Sequence, residues 1–201
     1  MTTAEPITIY DDAAGRVGTQ EGRRATFTTF AESTREDWAI IASHFADAQA
    51  VASANIVRQL EMLAVDHGGF PVSRLEHSLQ TATRAERANR DDEYVLCALV
   101  HDIGDTLAPY NHPSIAAGVV KPFVSEANHW MVEHHGIFQG YYFWHHLDGD
   151  RNARDAYADS PYYDRCEEFC ALYDQTAFDP TYRSYDLDHY RPLLARFFDP
   201  K

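Results

Sequence analysis

The sequence YVLCALVHDIGD, residues 94–105, joins an apolar run to a His-Asp pair. The run covers residues 94–100, His101 and Asp102 follow at once, and Gly104 is a residue that can end a helix. Adjacent side chains on a helix diverge by about 100°, but a metal ion between them gives both a shared target. The segment therefore predicts a helix whose carboxyl end ligates metal, with the aspartate bridging two ions.

Composition limits the classes of function. The 201 residues suit one domain with a hydrophobic core, and the net charge of −14 argues against nucleic acid and anionic membranes as partners. Cys97, Cys166 and Cys170 cannot all pair, and neither a signal peptide nor a spanning run is visible. We therefore expect a reduced, cytoplasmic setting. Eleven histidines exceed what a core requires.

The hydrophobic pattern predicts an all-α fold, because β alternation persists nowhere in the chain. Residues 1–32 are rich in Thr and Gly and weakly patterned, so we predict an N-terminal arm or lid. Residues 33–201 form the predicted helical domain.

Helix boundaries follow from capping residues and breakers. A capping box at Ser33–Glu36 opens a helical stretch to about Val65, with a break near Asp47–Val51, and Asp66–Pro71 ends it. Further helices are predicted at about 73–89, 91–102, 114–119, 125–146, 161–178 and 189–198. Asp188 is the predicted cap of the last one, and residues 147–160 are predicted to form a loop.

Six potential metal ligands come from five separate segments of the chain. Four histidines and two aspartates supply enough nitrogen and oxygen ligands for two ions, in a set that suits iron, manganese or zinc. The set is His77, His101, Asp102, His112, His135 and Asp174. We assign His77, His101 and Asp174 to one ion. His112 and His135 belong to the other, with Asp102 between them. Each histidine alone is also compatible with a satisfied position in the core.

Two segments of the chain resemble the start of an HD domain: residues 75–82, LEHSLQTA, and residues 98–104, ALVHDIG. More closely, residues from about Leu60 to Phe198 resemble the HD-domain mixed-valent di-iron oxygenases. That family includes myo-inositol oxygenase and the oxygenases that cleave the carbon–phosphorus bond of 1-hydroxyalkylphosphonates. The spacing from His112 fits the family better with His135 as the ligand than with His134.

The resemblance implies an HD-domain helical bundle and an Fe(II)/Fe(III) pair, with O₂ as co-substrate. His101 and Asp102 would be catalytic. The substrate would be a small organophosphonate, and the products a carboxylate and phosphate. The oligomeric state stays open.

Several positions depart from the group that acts on an aminoethyl substrate. His67 and Phe70 stand where that group has Tyr and Glu. Asp105 replaces its His, and also the Lys of inositol oxygenase. Gln139 replaces a basic residue after the last metal histidine. The sequence therefore does not locate an anion-binding group. Arg84 is one candidate, because helical side chains lean toward the N-terminus, although a solvated Arg84 is the simpler reading.

A quaternary ammonium substrate fits these departures. Phe70 and Tyr142 offer aromatic faces, each worth roughly 0.5–2 kcal/mol to such a cation, and Asp105 adds negative charge. We therefore expect (1-hydroxy-2-(trimethylammonio)ethyl)phosphonate as the substrate, with glycine betaine as product. His67 or Phe70 would gate the open metal position. Plain helix packing is the alternative role for the aromatic run 141–144.

Two other functions remain open at this point. The same six ligands would serve a metal-dependent HD phosphohydrolase that acts on a phosphoester or nucleotide. A non-catalytic, metal-stabilised binding module is the third possibility. Metal content together with O₂ uptake separates the three.

Overall fold

The computed structural model describes residues 22–65 and 67–200, and these residues form helices without any strand, as the sequence predicted. The described part contains eight α-helices. They are α1 (Arg35–Gln49), α2 (Ala52–Met62), α3 (Arg74–Arg87), α4 (Asp92–Val100), α5 (His112–Val120), α6 (Glu126–Phe143), α7 (Tyr163–Phe169) and α8 (Leu187–Phe198). Short 3₁₀ turns at Leu63–Val65, Trp144–Leu147 and Ala153–Tyr157 join or extend them.

The predicted break near residues 47–51 is confirmed, since α1 ends at Gln49 and α2 begins at Ala52. The predicted capping box is wrong by one residue. Thr34 is the cap, and its reciprocal partner is Asp37 rather than Glu36. The carboxylate of Asp37 also accepts a hydrogen bond from the backbone of Thr26 at 3.0 Å, whereas Glu36 pairs with Arg23.

Part of the predicted N-terminal arm, residues 1–21, lies outside the described residues. In residues 22–32, the rings of Phe27 and Phe30 lie 6.4 and 5.7 Å from the ring of Trp38 on α1. This segment therefore packs beside the first helix, and its role as an arm or lid stays a prediction.

Helix α4 is the centre of the bundle. Every residue from Tyr94 to Val100 is buried, which suits a helix that is apolar on all faces. Helix α3 packs along it, α6 and α8 contact it from other sides, and α2 packs against α8. Its carboxyl end therefore delivers His101 and Asp102 into the interior of the protein.

Several boundaries in the second half differ from the prediction. Helix α6 ends at Phe143, α7 ends at Phe169, and α8 is capped by Asp186 rather than Asp188. After α7 the chain continues as a π-turn over Cys170–Asp174, where the backbone N–H of Gln175 donates to the carbonyl of Cys170 at 3.1 Å. Such turns often occur at functional sites, and this one carries Asp174.

The three cysteines are free and buried. Within residues 22–65 and 67–200, no helix combines the length and the apolar character needed to cross a bilayer.

Candidate metal centre

Four histidine rings share one hydrogen-bonding pattern. In each, Nδ1 faces a backbone carbonyl, which only accepts, so Nδ1 carries the proton and the neutral ring keeps a bare lone pair on Nε2. The acceptors are Ala177 for His77 at 3.1 Å, Ala98 for His101 at 2.9 Å, Pro109 for His112 at 2.9 Å and Val132 for His135 at 2.7 Å.

The four Nε2 atoms converge in two pairs. Nε2 of His77 lies 3.1 Å from Nε2 of His101, and Nε2 of His112 lies 3.3 Å from Nε2 of His135. Two lone pairs at this distance repel each other unless a proton or a metal ion lies between them. Ligand atoms that share one metal at about 2.1 Å are themselves about 3 Å apart, which is the separation seen here.

Two carboxylates complete the cluster. Oδ1 of Asp174 lies 3.2 Å from Nε2 of His77 and 3.6 Å from Nε2 of His101. Its other oxygen, Oδ2, is buried without a hydrogen-bond partner. An unpartnered buried carboxylate oxygen is costly unless it binds a cation, so the donor set fits a metal.

Asp102 lies between the two pairs of histidines. Its Oδ1 is 3.2 Å from Nε2 of both His112 and His135, and its Oδ2 is 3.4 and 3.5 Å from Nε2 of His77 and His101. One oxygen faces each pair, which is the arrangement that a bridging carboxylate requires.

We name the two sets by their surroundings. The inner position is the set His77, His101 and Asp174, and the outer position is the set His112 and His135, with Asp102 shared. The inner ligands are fully buried, whereas the side chain of His112 is 19% exposed. The structure thus brings together all six residues that the sequence singled out.

The electrostatics of the cluster favour charged carboxylates. In the metal-free protein, burial lowers the pKa of His101, but Asp102 and Asp174 outweigh it and raise this pKa to about 9. Burial raises the pKa of both aspartates, yet the surrounding imidazoles hold both pKa values below the usual range. Carboxylates held in the charged form are ready to bind a cation.

The outer position depends on close packing between two segments. A Cβ on Gly104 would lie 2.8 Å from Cβ of Ile115 and 2.9 Å from the carbonyl oxygen of His112. Only glycine lets the turn after Asp102 approach the first turn of α5. That approach brings His112 to the bridging carboxylate.

A cleft of about 840 Å³ opens beside the outer position. Of the residues predicted to bind or gate the substrate, Phe70, Gln139 and Tyr142 line it, and His67 and Asp105 do not. Nε2 of Gln139 also donates to Oδ1 of Asp174 at 2.5 Å. The other lining side chains include His112, His134, Phe143, Trp144, Tyr157 and Phe178.

Sequence reasoning missed Arg74, which is the one Arg or Lys among the described residues that line the cleft. It precedes His77 by three residues on α3, so one helical turn puts both on the same side, and that spacing was the available signal. Arg84, considered from the sequence as an anion contact, instead lies over the ring of Tyr182 at 4.0 Å and does not line the cleft.

Two neighbouring histidines have different environments. His135 is buried in the cluster, whereas His134 donates from Nδ1 to the carbonyl of Trp130 and stacks on its ring at 4.0 Å. The geometry therefore places His135, and not His134, among the potential ligands.

Aromatic rings cover the inner position. Phe178 stacks on His77 at 4.4 Å, and Phe70 stacks on Phe178 at 5.2 Å. The guanidinium of Arg74 lies over the ring of Phe70 at 4.7 Å. The cleft thus reaches the potential metal ligands from the outer side.

A comparison with protein-family models finds a match over residues 74–174, half of the chain, to the family described as HD domain. The matched range contains all six residues of the cluster. A comparison with curated proteins gives no significant match.

Proposed function

Because the chain belongs to the HD-domain family, whose members are usually metal-dependent enzymes, we propose that it is a di-iron oxygenase of 1-hydroxyalkylphosphonates. The observation that carries the proposal is the pair of imidazole-rich sets joined through Asp102, beside a cleft in which Arg74 is the one arginine among the described lining residues. Two bound iron ions would supply Lewis-acid and redox chemistry at that point.

The ligand-binding groups fit one small anionic headgroup. Arg74 Nη2 lies 3.9 Å from Oδ2 of Asp102, so an anion held by Arg74 would lie beside the metal ligands. Guanidinium groups bind phosphonate-like oxygens through two parallel N–H bonds. One arginine among the described residues of the cleft favours one headgroup over a polyphosphate chain.

Gln139 and Tyr142 extend the site along α6. Gln139 contacts Asp174, and Tyr142 lies three residues farther, about 4.5 Å along the helix axis. A substrate held at C1 beside the ligands therefore reaches Tyr142 with a group on C2. We propose the trimethylammonio group for that place, since an aromatic face attracts it.

The net reaction balances without a further reductant. The C1–H and C1–P bonds break, C1 gains one oxygen atom to become a carboxylate, phosphorus gains the other to become hydrogen phosphate, and one proton is released. O₂ is the oxidant and accepts four electrons from the substrate. For the trimethylammonio substrate the carboxylate product is glycine betaine.

The experiment compares reaction with and without O₂. Protein loaded anaerobically with iron is given (1-hydroxy-2-(trimethylammonio)ethyl)phosphonate, and O₂ uptake and phosphate are measured together. We expect one phosphate per O₂ consumed, and none under nitrogen. Partial oxidation of the iron-loaded protein is expected to give a mixed-valent EPR signal.

The rival functions give different results in the same assay. Release of phosphate from phosphoesters under nitrogen would contradict the oxygenase assignment and support a phosphohydrolase that uses the same six ligands. Two tightly held metals with no turnover of either substrate class would leave a binding module. One tightly held zinc with no iron dependence would also contradict the proposal.

A further inference from the structure

Asp105 connects a potential metal ligand with the arginine of the cleft. Its carboxylate is buried, with 6% of the residue exposed. Oδ1 lies 3.0 Å from Nδ1 of His112, and Oδ2 accepts from Nε of Arg74 at 2.5 Å while pairing with Nη2 of the same guanidinium. One side chain therefore contacts two groups that face the site.

The position of Arg74 depends on this contact. Nη2 is also 3.9 Å from Oδ2 of Asp102, the shared carboxylate. Without Asp105, Asp102 would be the nearest carboxylate for the half-buried guanidinium. Arg74 would then turn toward Asp102 and away from the cleft. Asp105 binds Nε and Nη2 of Arg74 and leaves the remaining N–H groups of the guanidinium free to face the cleft.

The position of His112 depends on it too. His112 has no helical turn before it, because it is the first residue of α5. Its Nδ1–H donates to the carbonyl oxygen of Pro109 at 2.9 Å, and Oδ1 of Asp105 lies at a similar distance, 3.0 Å, from the same nitrogen. A carboxylate beside Nδ1 fixes the ring and increases the basicity of the opposite nitrogen.

We propose that Asp105 is a positioning residue that sets both the outer ligand His112 and the anion-binding group Arg74. It thereby couples binding of the second metal to binding of the substrate headgroup. The inference rests on the metal centre of the proposed function. Its readouts are metal content and anion binding, so failure of the oxygenase assignment would leave this test valid.

Two substitutions separate the two contacts. Asp105→Ala removes both, whereas Asp105→Asn keeps a carbonyl oxygen that can face His112 but loses the charge that holds Arg74. Asp188→Ala is the matched control. The exposed Asp188 also pairs with an arginine, since its Oδ1 lies 2.5 Å from Nε of Arg191, but this pair is not part of the site. The measurements are Fe(II) and Mn(II) affinity by chelator competition, and methylphosphonate affinity of metal-loaded protein by calorimetry.

We expect Asp105→Ala to lower the affinity for the second metal, at the outer position, by about 10–100-fold, while the first metal, at the inner position, is retained. Methylphosphonate affinity should fall at least tenfold. Asp105→Asn should keep the second metal within a few-fold of wild type and still lose about tenfold in methylphosphonate affinity. Asp188→Ala should match wild type in both. Circular dichroism checks that each variant keeps its helices.

His112→Ala provides the reference for loss of the outer metal alone. If Asp105→Ala keeps both metals and full methylphosphonate affinity, the proposal is overturned. Equal weakening of both metals in Asp105→Ala would also overturn it, because a general structural role predicts that result. If Asp105→Ala fails to fold, unchanged methylphosphonate affinity in Asp105→Asn still refutes the coupling to Arg74.

Discussion

The inner and outer metal positions use the same residue types in different surroundings. The inner ligands come from α3, the end of α4 and the π-turn, and Phe178 covers them. The outer position takes His112 from the start of α5, and this side chain is partly exposed at the cleft. Core packing therefore fixes the inner position, whereas the outer one depends on a few close contacts and faces the ligand.

The shared carboxylate gives the largest effect that tests this comparison. Asp102→Ala removes an oxygen from both sets, so we expect both metals to be lost on dialysis while the helical signal remains. His101→Ala should empty the inner position. Metal content by mass spectrometry measures this, and His134→Ala, which changes the neighbour of a ligand, should keep two metals. A fully loaded, active Asp102→Ala variant would show that the centre is misplaced.

The inner position should also make the stability of metal-free protein depend on pH. The pKa of His101 is about 9 in the folded chain against 6.5 when unperturbed. A raised pKa stabilises the folded state fully below about pH 6.5, and this stabilisation is lost as pH rises through 9. The free energy of unfolding should therefore fall by up to ~3 kcal/mol across that window.

Urea denaturation at pH 6.5, 8 and 9.5 in the presence of a chelator measures this change. Metal-loaded protein should lack it, because a metal-bound imidazole has already lost its proton. His101→Gln should flatten the curve of the chelated protein. A chelated wild type that gains stability between pH 7 and 9 would contradict the assigned electrostatics.

A substitution at Gly104 tests whether the outer position depends on close packing between the turn after Asp102 and α5. Gly104→Ala forces its new Cβ against the backbone of His112, so the first turn of α5 must shift. Overpacking of this kind lowers the free energy of unfolding by about 1–3 kcal/mol. We also expect a selective loss of affinity for the metal at the outer position. The matched control is Gly118→Ala on α5, where a Cβ would meet nothing within 4 Å.

Gly118→Ala should be neutral or stabilising by up to about 1 kcal/mol, because alanine is the better helix former. Chelator competition and thermal unfolding measure both variants. If the two glycine variants bind the second metal equally well, close packing at Gly104 is not what places His112.

The sequence predicted the six clustered residues better than the contacts that orient them. Apolar periodicity and capping residues located α3 and α4, and the order of His and Asp along five segments singled out the six residues, whose role as metal ligands stays a prediction. Arg74 and Asp105 are 31 residues apart, and their contact depends on how α3 packs beside the turn after α4. No local pattern records such a contact.

Two local features were also beyond sequence reasoning. The π-turn that carries Asp174 replaces the continuous helix predicted to residue 178. A π-turn differs from an α-helix only in which backbone groups pair, and the amino-acid composition does not reveal that difference. The cap at Thr34 with Asp37 was misassigned by one residue because Ser33 and Glu36 have the same chemistry one position earlier.

The smallest expected effect concerns the organic group of the substrate and separates two aromatic residues of the cleft. Phe70 already contacts Phe178 and Arg74, so it belongs to the anion-binding end. Tyr142 lies on the α6 side, and among the residues that the structure describes no arginine lies over its ring, whereas Arg151 and Arg154 lie over Tyr141. A quaternary ammonium gains about 0.5–2 kcal/mol from one aromatic face, which corresponds to about tenfold in kcat/KM.

We therefore expect wild type to prefer the trimethylammonio over the amino substrate by about tenfold. Tyr142→Leu should remove most of that preference, whereas Phe70→Leu should weaken both substrates alike through Arg74. The measurement is kcat/KM for the trimethylated and unmethylated 1-hydroxyphosphonates with all three proteins. If Phe70→Leu abolishes the preference and Tyr142→Leu keeps it, the ammonium lies at the Phe70 end. Equal values for both substrates in wild type would mean that neither ring selects the cation, because a face that binds it must favour the methylated form.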